Sequence, residues 1–268
     1  MSKSLDLSKL CQQAVEVILD VGEFIRSQKG RVGTDRIVEK SKNSLVSYVD
    51  QTAEEKLVQG LGTLLEEPTF LTEEGTVIAR KGTYRWIIDP LDGTTNFLHR
   101  IPAFSVSVGL EVRDELVLGI VYEVNQDECF YAWKGGGAYL NGNQIGVSPA
   151  THLSDALLAT GFPYYDYSLM QKYLGTLQEL MKDTRGIRRL GSAAVDLAYV
   201  ACGRFEGFFE YSLHPWDVAG GVVLVQEAGG LVTDFKGGAD YLFGGSILAA
   251  SPAIHQAMLD VLIKHFQD

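Results

Sequence analysis

The stretch Trp86-Ile87-Ile88-Asp89-Pro90-Leu91-Asp92-Gly93-Thr94-Thr95-Asn96-Phe97 decides how the chain folds. Its first three residues are bulky and apolar, as in a buried strand, and two carboxylates, a glycine and two hydroxyls follow at once. Pro90 cannot donate a ladder hydrogen bond, so strand pairing is expected to stop near Asp89. Gly93 lets the backbone turn sharply or approach a ligand. If Leu91 to Phe97 coils into a helical turn, Asp89 and Asp92 converge on one side. Two hard oxygen ligands at a strand end repel each other unless a divalent cation lies between them, and a cation beside helix-start amides makes a phosphate site.

Two other readings compete. Asp89 and Asp92 can simply cap a surface helix, where the dipole favours acids. Asp-x-Asp-Gly-Thr is also the signature of haloacid-dehalogenase-type phosphatases, with a nucleophilic aspartate two residues before an acid. The spacing here is three, so the carboxylates do not stand in the nucleophile and acid positions of a covalent aspartyl-phosphate route.

The 268 residues, 46% hydrophobic, can bury a large core and fit one large domain or two closely joined halves. No stretch is long and apolar enough to span a membrane, and Met1-Ser2-Lys3-Ser4-Leu5-Asp6 lacks the order of a signal peptide, so a cytoplasmic protein is expected. Cys11, Cys129 and Cys202 are odd in number and far apart, which points to free thiols. A formal net charge of −11 argues against nucleic-acid binding, which needs a basic face. It also means that a phosphorylated substrate would need cations to approach.

Along the chain, Leu7 to Ile25 carries the apolar stripe of an amphipathic helix. Gly30 to Asn43, with Lys40 and Lys42, reads as a mobile loop, and a second helix is expected from about Val46 to Leu65 with Asp50 at its beginning. Phe70-Leu71-Thr72-Glu73-Glu74-Gly75 is a second apolar strand running into acids, and two such strands deliver ligands to one sheet edge. Phe104 to Leu110 alternates large and small residues, as a half-buried strand does. Strands at Val117 to Val124 and Cys129 to Trp133 and an Asn141-Gly142 hairpin complete an antiparallel meander in the first half, about residues 1–150.

The second half, about 151–268, alternates strands at Leu157–Thr160, Gly207–Tyr211 and near Leu231 and Ile247 with helices at about Ser168–Lys182, Ser192–Cys202, Trp216–Ala228 and from Pro252 onward. Gly191-Ser192-Ala193-Ala194 opens a helix with small residues, either as an ordinary serine cap or with amides turned to an anion. Glu210 stands at a strand end, and Asp217 at another strand-to-helix junction. The pattern predicts an α/β sandwich of layered sheets and helices, with two halves sharing one site.

Glu73-Glu74, the central stretch from Asp89 to Phe97, Trp216-Asp217-Val218-Ala219-Gly220 and Glu227-Ala228-Gly229-Gly230 resemble the signature segments of the inositol monophosphatase family. Gly137 to Gly142 resembles its hairpin, and the match runs in order along nearly the whole chain. Thr72 stands where the family has glycine, and Gly161-Phe162-Pro163 is closer to bacterial members. The resemblance implies one catalytic domain, a layered αβαβα sandwich of the inositol monophosphatase and fructose-1,6-bisphosphatase type, and a homodimer.

It further implies Mg²⁺ ligands at Glu73, Asp89, Asp92, Asp217 and the carbonyl of Leu91. Glu73 and Thr94 would polarise an attacking water with Asp50 behind them, and Gly93, Thr94 and Thr95 would hold the phosphate. Asp92, Gly191, Ser192, Ala193, Glu210 and Asp217 would meet the hydroxyl-bearing part of the substrate, and Lys40 would belong to a loop assisting a weaker metal site. A phosphate monoester carries about two negative charges, so cations that cancel repulsion fit direct attack by water without a covalent intermediate. Thr95-Asn96-Phe97 favours inositol phosphates over nucleotide bisphosphates, whose phosphatases tend to have lysine at position 95, and over histidinol phosphate, whose phosphatases tend to have arginine. Lithium sensitivity is expected with the family. Fructose-1,6-bisphosphatase or 3′(2′),5′-bisphosphate nucleotidase activity, or a non-catalytic regulatory role marked by lost ligands, are the alternatives; every ligand the resemblance implies is present here.

Overall fold

In a computed structural model the described residues are 5–32, 37–41, 44–163 and 166–266, with the backbone alone for 37–41 and 44–46. Helices and sheets stack in five layers, αβαβα. The first helix layer is α1 (Leu7–Gln28) and α2 (Tyr48–Gly62). Asp6 caps α1 by accepting from the Lys9 amide, and the stripe from Leu10 to Ile25 faces the first core. A two-stranded hairpin, β1 (Ile37–Ser41) and β2 (Ser44–Ser47), precedes α2. The expected Gly30–Asn43 loop is therefore partly a strand, and α2 begins two residues late because Ser47 and Asp50 form a capping box. It also ends at Gly62, which leaves Leu64 outside the helix.

The second layer is a seven-stranded sheet, β3 (Thr69–Thr72), β4 (Tyr84–Asp92), β5 (Ser105–Val112), β6 (Glu115–Glu123), β7 (Glu128–Trp133), β8 (Gly137–Leu140) and β9 (Asn143–Ile145), in that spatial order. Only β3 and β4 run parallel, so the acids that follow both strands lie at the same end. Pro90 does not stop the pairing at Asp89. A bulge absorbs it, and Asp92 pairs again opposite Ser105. The short helix α3 (Thr94–His99) starts only after Gly93.

Strand β5 is buried on both faces, not on one. Val106, Val108 and Leu110 face α1 and α2, while Ser105, Ser107 and Gly109 face helix α6 (Pro215–Glu227) in the middle layer. The small residues mark a helix lying close, not a solvated face. A methyl group on Gly109 would come within 2.7 Å of Ala219 Cβ, and one on Gly119 within 2.2 Å of the Gly220 carbonyl oxygen. The middle layer also holds α5 (Ala193–Ala201), packed on α6 where Gly221 meets Leu197.

The fourth layer is a five-stranded sheet in the order β11-β10-β12-β14-β13. These strands are β10 (Leu157–Thr160), β11 (Gly186–Arg188), β12 (Gly207–Tyr211), β13 (Leu231–Thr233) and β14 (Ser246–Ala250). Strand β11 carries too little apolar pattern to be legible beforehand. Helices α4 (Met170–Asp183) and α7 (Pro252–Phe266) cover its outer face over a third core that includes Tyr173, Phe209 and Met258. All three cysteines are free thiols, Cys11 and Cys129 buried and pushed up to about 12 by that burial. No described helix is long and apolar enough to cross a membrane.

Candidate active site

The parallel pairing of β3 and β4 brings Glu73 beside Asp89, since the Glu73 amide donates to the Ile88 carbonyl at 3.2 Å. Asp89 is buried, and its Oδ1 accepts from the Leu91 amide at 2.9 Å. Gly93 then takes a left-handed φ of +92°, where a Cβ would stand 2.9 Å from the Ala103 carbonyl oxygen. No other residue fits there. That turn launches α3 with Thr94 and the exposed Thr95 in its first turn.

Thr94 Oγ1 lies 2.8 Å from Asp50 Oδ1 and 3.0 Å from the Leu91 carbonyl oxygen, two acceptors for its one proton. Asp50 is fully buried, and its other oxygen accepts from the amide and hydroxyl of Ser47 at 2.8 and 2.7 Å. Burial raises the Asp50 pKa, and those hydrogen bonds oppose the rise.

Asp92 crosses to the second half of the chain. Its Oδ2 accepts from Ser192 Oγ and from the Ala194 amide, both at 2.7 Å. The Ala194 amide at the start of α5 thus holds an anion, and that anion is the protein's own carboxylate. Ser192 also caps α5 and sits 3.2 Å from Ser105 Oγ, while Asn96 Nδ2 donates across the same seam to the Leu190 carbonyl at 2.8 Å. Asp217, the third residue of α6, accepts from the His214 amide at 2.7 Å and closes a capping box.

Four acids, Glu73, Asp89, Asp92 and Asp217, stand within electrostatic reach of one another. Burial first and then Glu73, Asp92 and Asp217 raise the pKa of Asp89 well above the carboxylate range. Burial, then Asp92 and Glu73, do the same to Asp217. Asp92 is raised to about 6 by burial, against the donors Ser192 and Ala194 and the charge of Arg189. Solvent still touches part of Asp92 and Asp217, but protein atoms crowd their carboxyl groups. Glu210 on β12 belongs to the same field: burial and then Asp217 raise it.

Among the described residues no three His, Cys, Asp or Glu side chains are drawn into a closed cation shell. One oxygen each of Asp89, Asp92 and Asp217 accepts from a backbone amide. What converges is a set of hard oxygen donors whose charges oppose one another, and this set fits a hard divalent cation and no soft one. The backbone of Lys40 lies in β1, but its side chain and all of Lys42 fall outside the described residues.

Residues 6–268 match the inositol monophosphatase family. The chain belongs to that family. Among inositol monophosphatase relatives, an inositol-1-monophosphatase of Mesorhizobium japonicum is 39% identical over 96% of this chain and 97% of its own. Nus factor SuhB of Escherichia coli is 42% identical over 82% of this chain and 83% of its own. The crystal structure of the extragenic suppressor protein SuhB from Bartonella henselae, 38% identical, superposes with a TM-score of 0.90 over 94% of this chain and 98% of that one. The layered inositol monophosphatase fold expected from the sequence is the fold observed.

Two buried acids near the site escape the family signatures. Glu54, fully buried one turn after Asp50 on α2, accepts from the Glu74 amide at 2.7 Å, the Thr76 amide at 2.8 Å and the Thr76 hydroxyl at 2.7 Å. Its place between Ala53 and Leu57 on the buried stripe was the one available signal. Asp196, in the first turn of α5, is raised well above the usual range by burial and then by Glu210 and Asp92. An acid in a first turn reads as dipole-favoured surface charge, so the sequence gives no hint of that burial.

Proposed function

We propose that this protein is a Mg²⁺-dependent phosphate monoesterase that converts inositol 1-phosphate to inositol and phosphate by direct attack of water. The observation that carries the reading is the meeting of Glu73, Asp89, Asp92 and Asp217 beside the Thr94–Asp50 pair, at the starts of α3, α5 and α6. Glu73, Asp89, Asp92, Asp217 and the Leu91 carbonyl would hold Mg²⁺. A bound Mg²⁺ supplies charge neutralisation of the phosphate and Lewis-acid assistance to water and leaving oxygen.

The chain's own part is positioning. Thr94 gives its proton to Asp50 or Leu91, so its lone pairs face outward as an acceptor for the attacking water, and Glu73 polarises that water from the other strand. Donors at Gly93, Thr94 and Thr95 would grip the phosphate oxygens where negative charge grows. Gly191, Ser192 and Ala193 would meet the hydroxyl-bearing part of the substrate beside Asp92, which Ser192 and the Ala194 amide hold, and Glu210 would accept hydrogen bonds from ring hydroxyls. No residue is placed as a covalent nucleophile.

A substrate panel tests this: inositol 1-phosphate, adenosine 3′,5′-bisphosphate, fructose bisphosphate and histidinol phosphate, each with Mg²⁺, with excess chelator and with Li⁺. Turnover should require Mg²⁺, fall with Li⁺ and favour inositol 1-phosphate in kcat/KM. Full activity in chelator, or a trapped phosphoaspartate, overturns the mechanism. Preference for the nucleotide overturns the substrate. Sedimentation should show a homodimer.

A second reading rests on the relatives named Nus factor SuhB, a binding role not requiring turnover. It is carried if a folded Asp92→Asn protein, without phosphatase activity, replaces the wild type in the cell.

A further inference from the structure

Glu210 owes its position to a residue with no side chain. An ideal Cβ built on Gly161 would lie 2.0 Å from Cδ and from both carboxylate oxygens of Glu210. We propose that Gly161 is a specificity-determining residue: the space it leaves empty is the seat of the Glu210 carboxylate, and this seat sets selection for hydroxyl-bearing phosphate esters. The proposal rests on the polyol reading of Glu210 given above and deepens it.

Three facts make the seat rigid enough to matter. The Gly161 carbonyl accepts from the hydroxyl of Tyr173 at 2.5 Å, and Tyr173 is fully buried among Phe162, Phe209 and Tyr211. Gly161 directly follows β10, whose Thr160 pairs with Phe209 of β12 and donates through its hydroxyl to the Phe209 carbonyl at 2.7 Å. Glu210 itself is held in β12 opposite Ile247 of β14. Neither backbone can retreat from the other, so a methyl group at 161 has only the Glu210 side chain to displace.

The substitution is otherwise mild. Gly161 lies outside the left-handed region, so alanine brings no backbone strain of its own. The side chain that moves is the one whose neighbours include Asp92 and Asp217. Displacing it removes an acceptor from the substrate side and leaves the strand-end acids Glu73 and Asp89 where they are.

The test is a double-mutant cycle on the Mg²⁺-loaded full chain with Gly161→Ala, Glu210→Ala and the pair. For each, kcat/KM is measured for inositol 1-phosphate and for p-nitrophenyl phosphate, which has no ring hydroxyls, together with Tm. Each single variant should lower the inositol-to-aryl ratio about ten- to hundredfold, the value of one charge-assisted hydrogen bond. The pair should fall no further than Glu210→Ala alone. Where Glu210→Ala lowers the ratio, a wild-type ratio in Gly161→Ala, or losses that multiply in the pair, overturns the proposal.

If Gly161→Ala loses stability, Glu210→Ala must restore its Tm, because the clash is with that side chain. Instability that persists in the pair also overturns it. Should Glu210→Ala leave the ratio unchanged, the polyol reading fails. The seat is then read from Tm alone: coupling between the two positions supports it and additivity rejects it.

Discussion

Glu73 and Asp89, brought together by the parallel β3 and β4, and Asp92, Asp217 and Glu210, gathered around α5, α6 and β12, converge on one candidate site but are secured differently. Glu73 and Asp89 are held by backbone close in the chain or in the next strand: a parallel register, a Leu91 amide, a tight turn at Gly93. Asp217 is fixed by its own capping box, but Asp92 is gripped by Ser192 and Ala194, about a hundred residues away, and Glu210 depends on space at Gly161. The hold on Glu73, Asp89 and Asp217 is local in the chain or in the paired strand, whereas the hold on Asp92 is built across the seam and that on Glu210 between two strands of one sheet.

The severest way to break this contrast is Asp92→Asn, because Asp92 ends β4 beside Asp89 and is held from α5 across the seam. Its kcat should drop on the order of a thousandfold, about 4 kcal/mol, with the protein still folded by circular dichroism. Normal turnover would remove Asp92 from the ligand set. Next comes the seam itself. Gly119→Ala would drive a methyl into the Gly220 carbonyl, and urea unfolding should show a loss of about 3 kcal/mol. An unchanged midpoint would mean that α6 can move off the sheet.

Glu54→Gln probes the local group alone. Placing an amide among three donors should cost about 2 kcal/mol of stability and raise the Mg²⁺ concentration for half-maximal turnover, read beside Mg²⁺ binding by calorimetry. Lost stability with unaltered Mg²⁺ binding would detach Glu54 from the Glu73 loop. The smallest effect is expected from Ser192→Ala, which removes a helix cap and one of two donors to Asp92. About 1 kcal/mol of stability should go, with a modest fall in kcat. A fall as deep as that of Asp92→Asn would show that the hydroxyl, not the helix amide, does the holding.

The same contrast explains what the sequence could tell. Glu73, Asp89 and Asp92 were legible because each acid follows an apolar strand within a few residues, and the bland capping reading fails for Asp89 once its burial is seen. The second buried face of β5 leaves no sequence signal, because small residues that admit a close helix look like a polar face until Ala219 and Gly220 are in place. The start of α2 lies two residues beyond the expected Val46 because Ser47 and Asp50 close a capping box there. Glu54 and Asp196 were hidden because an acid on a helix is ordinarily solvated, and only tertiary packing reverses that. Partners far apart in the chain, such as Ser192 for Asp92 and Gly161 for Glu210, leave no periodic trace.

Asp50 and Glu54 sit four residues apart on α2, one gripping Thr94 and the other gripping the loop behind Glu73. Four residues of helix rise about 6 Å, and that length does not stretch. The helix therefore works as a gauge block. Any rocking of α2 against the sheet carries both anchors together, and the gap between the two groups that would flank the attacking water is set by a stiff internal standard, not by the looser packing around it.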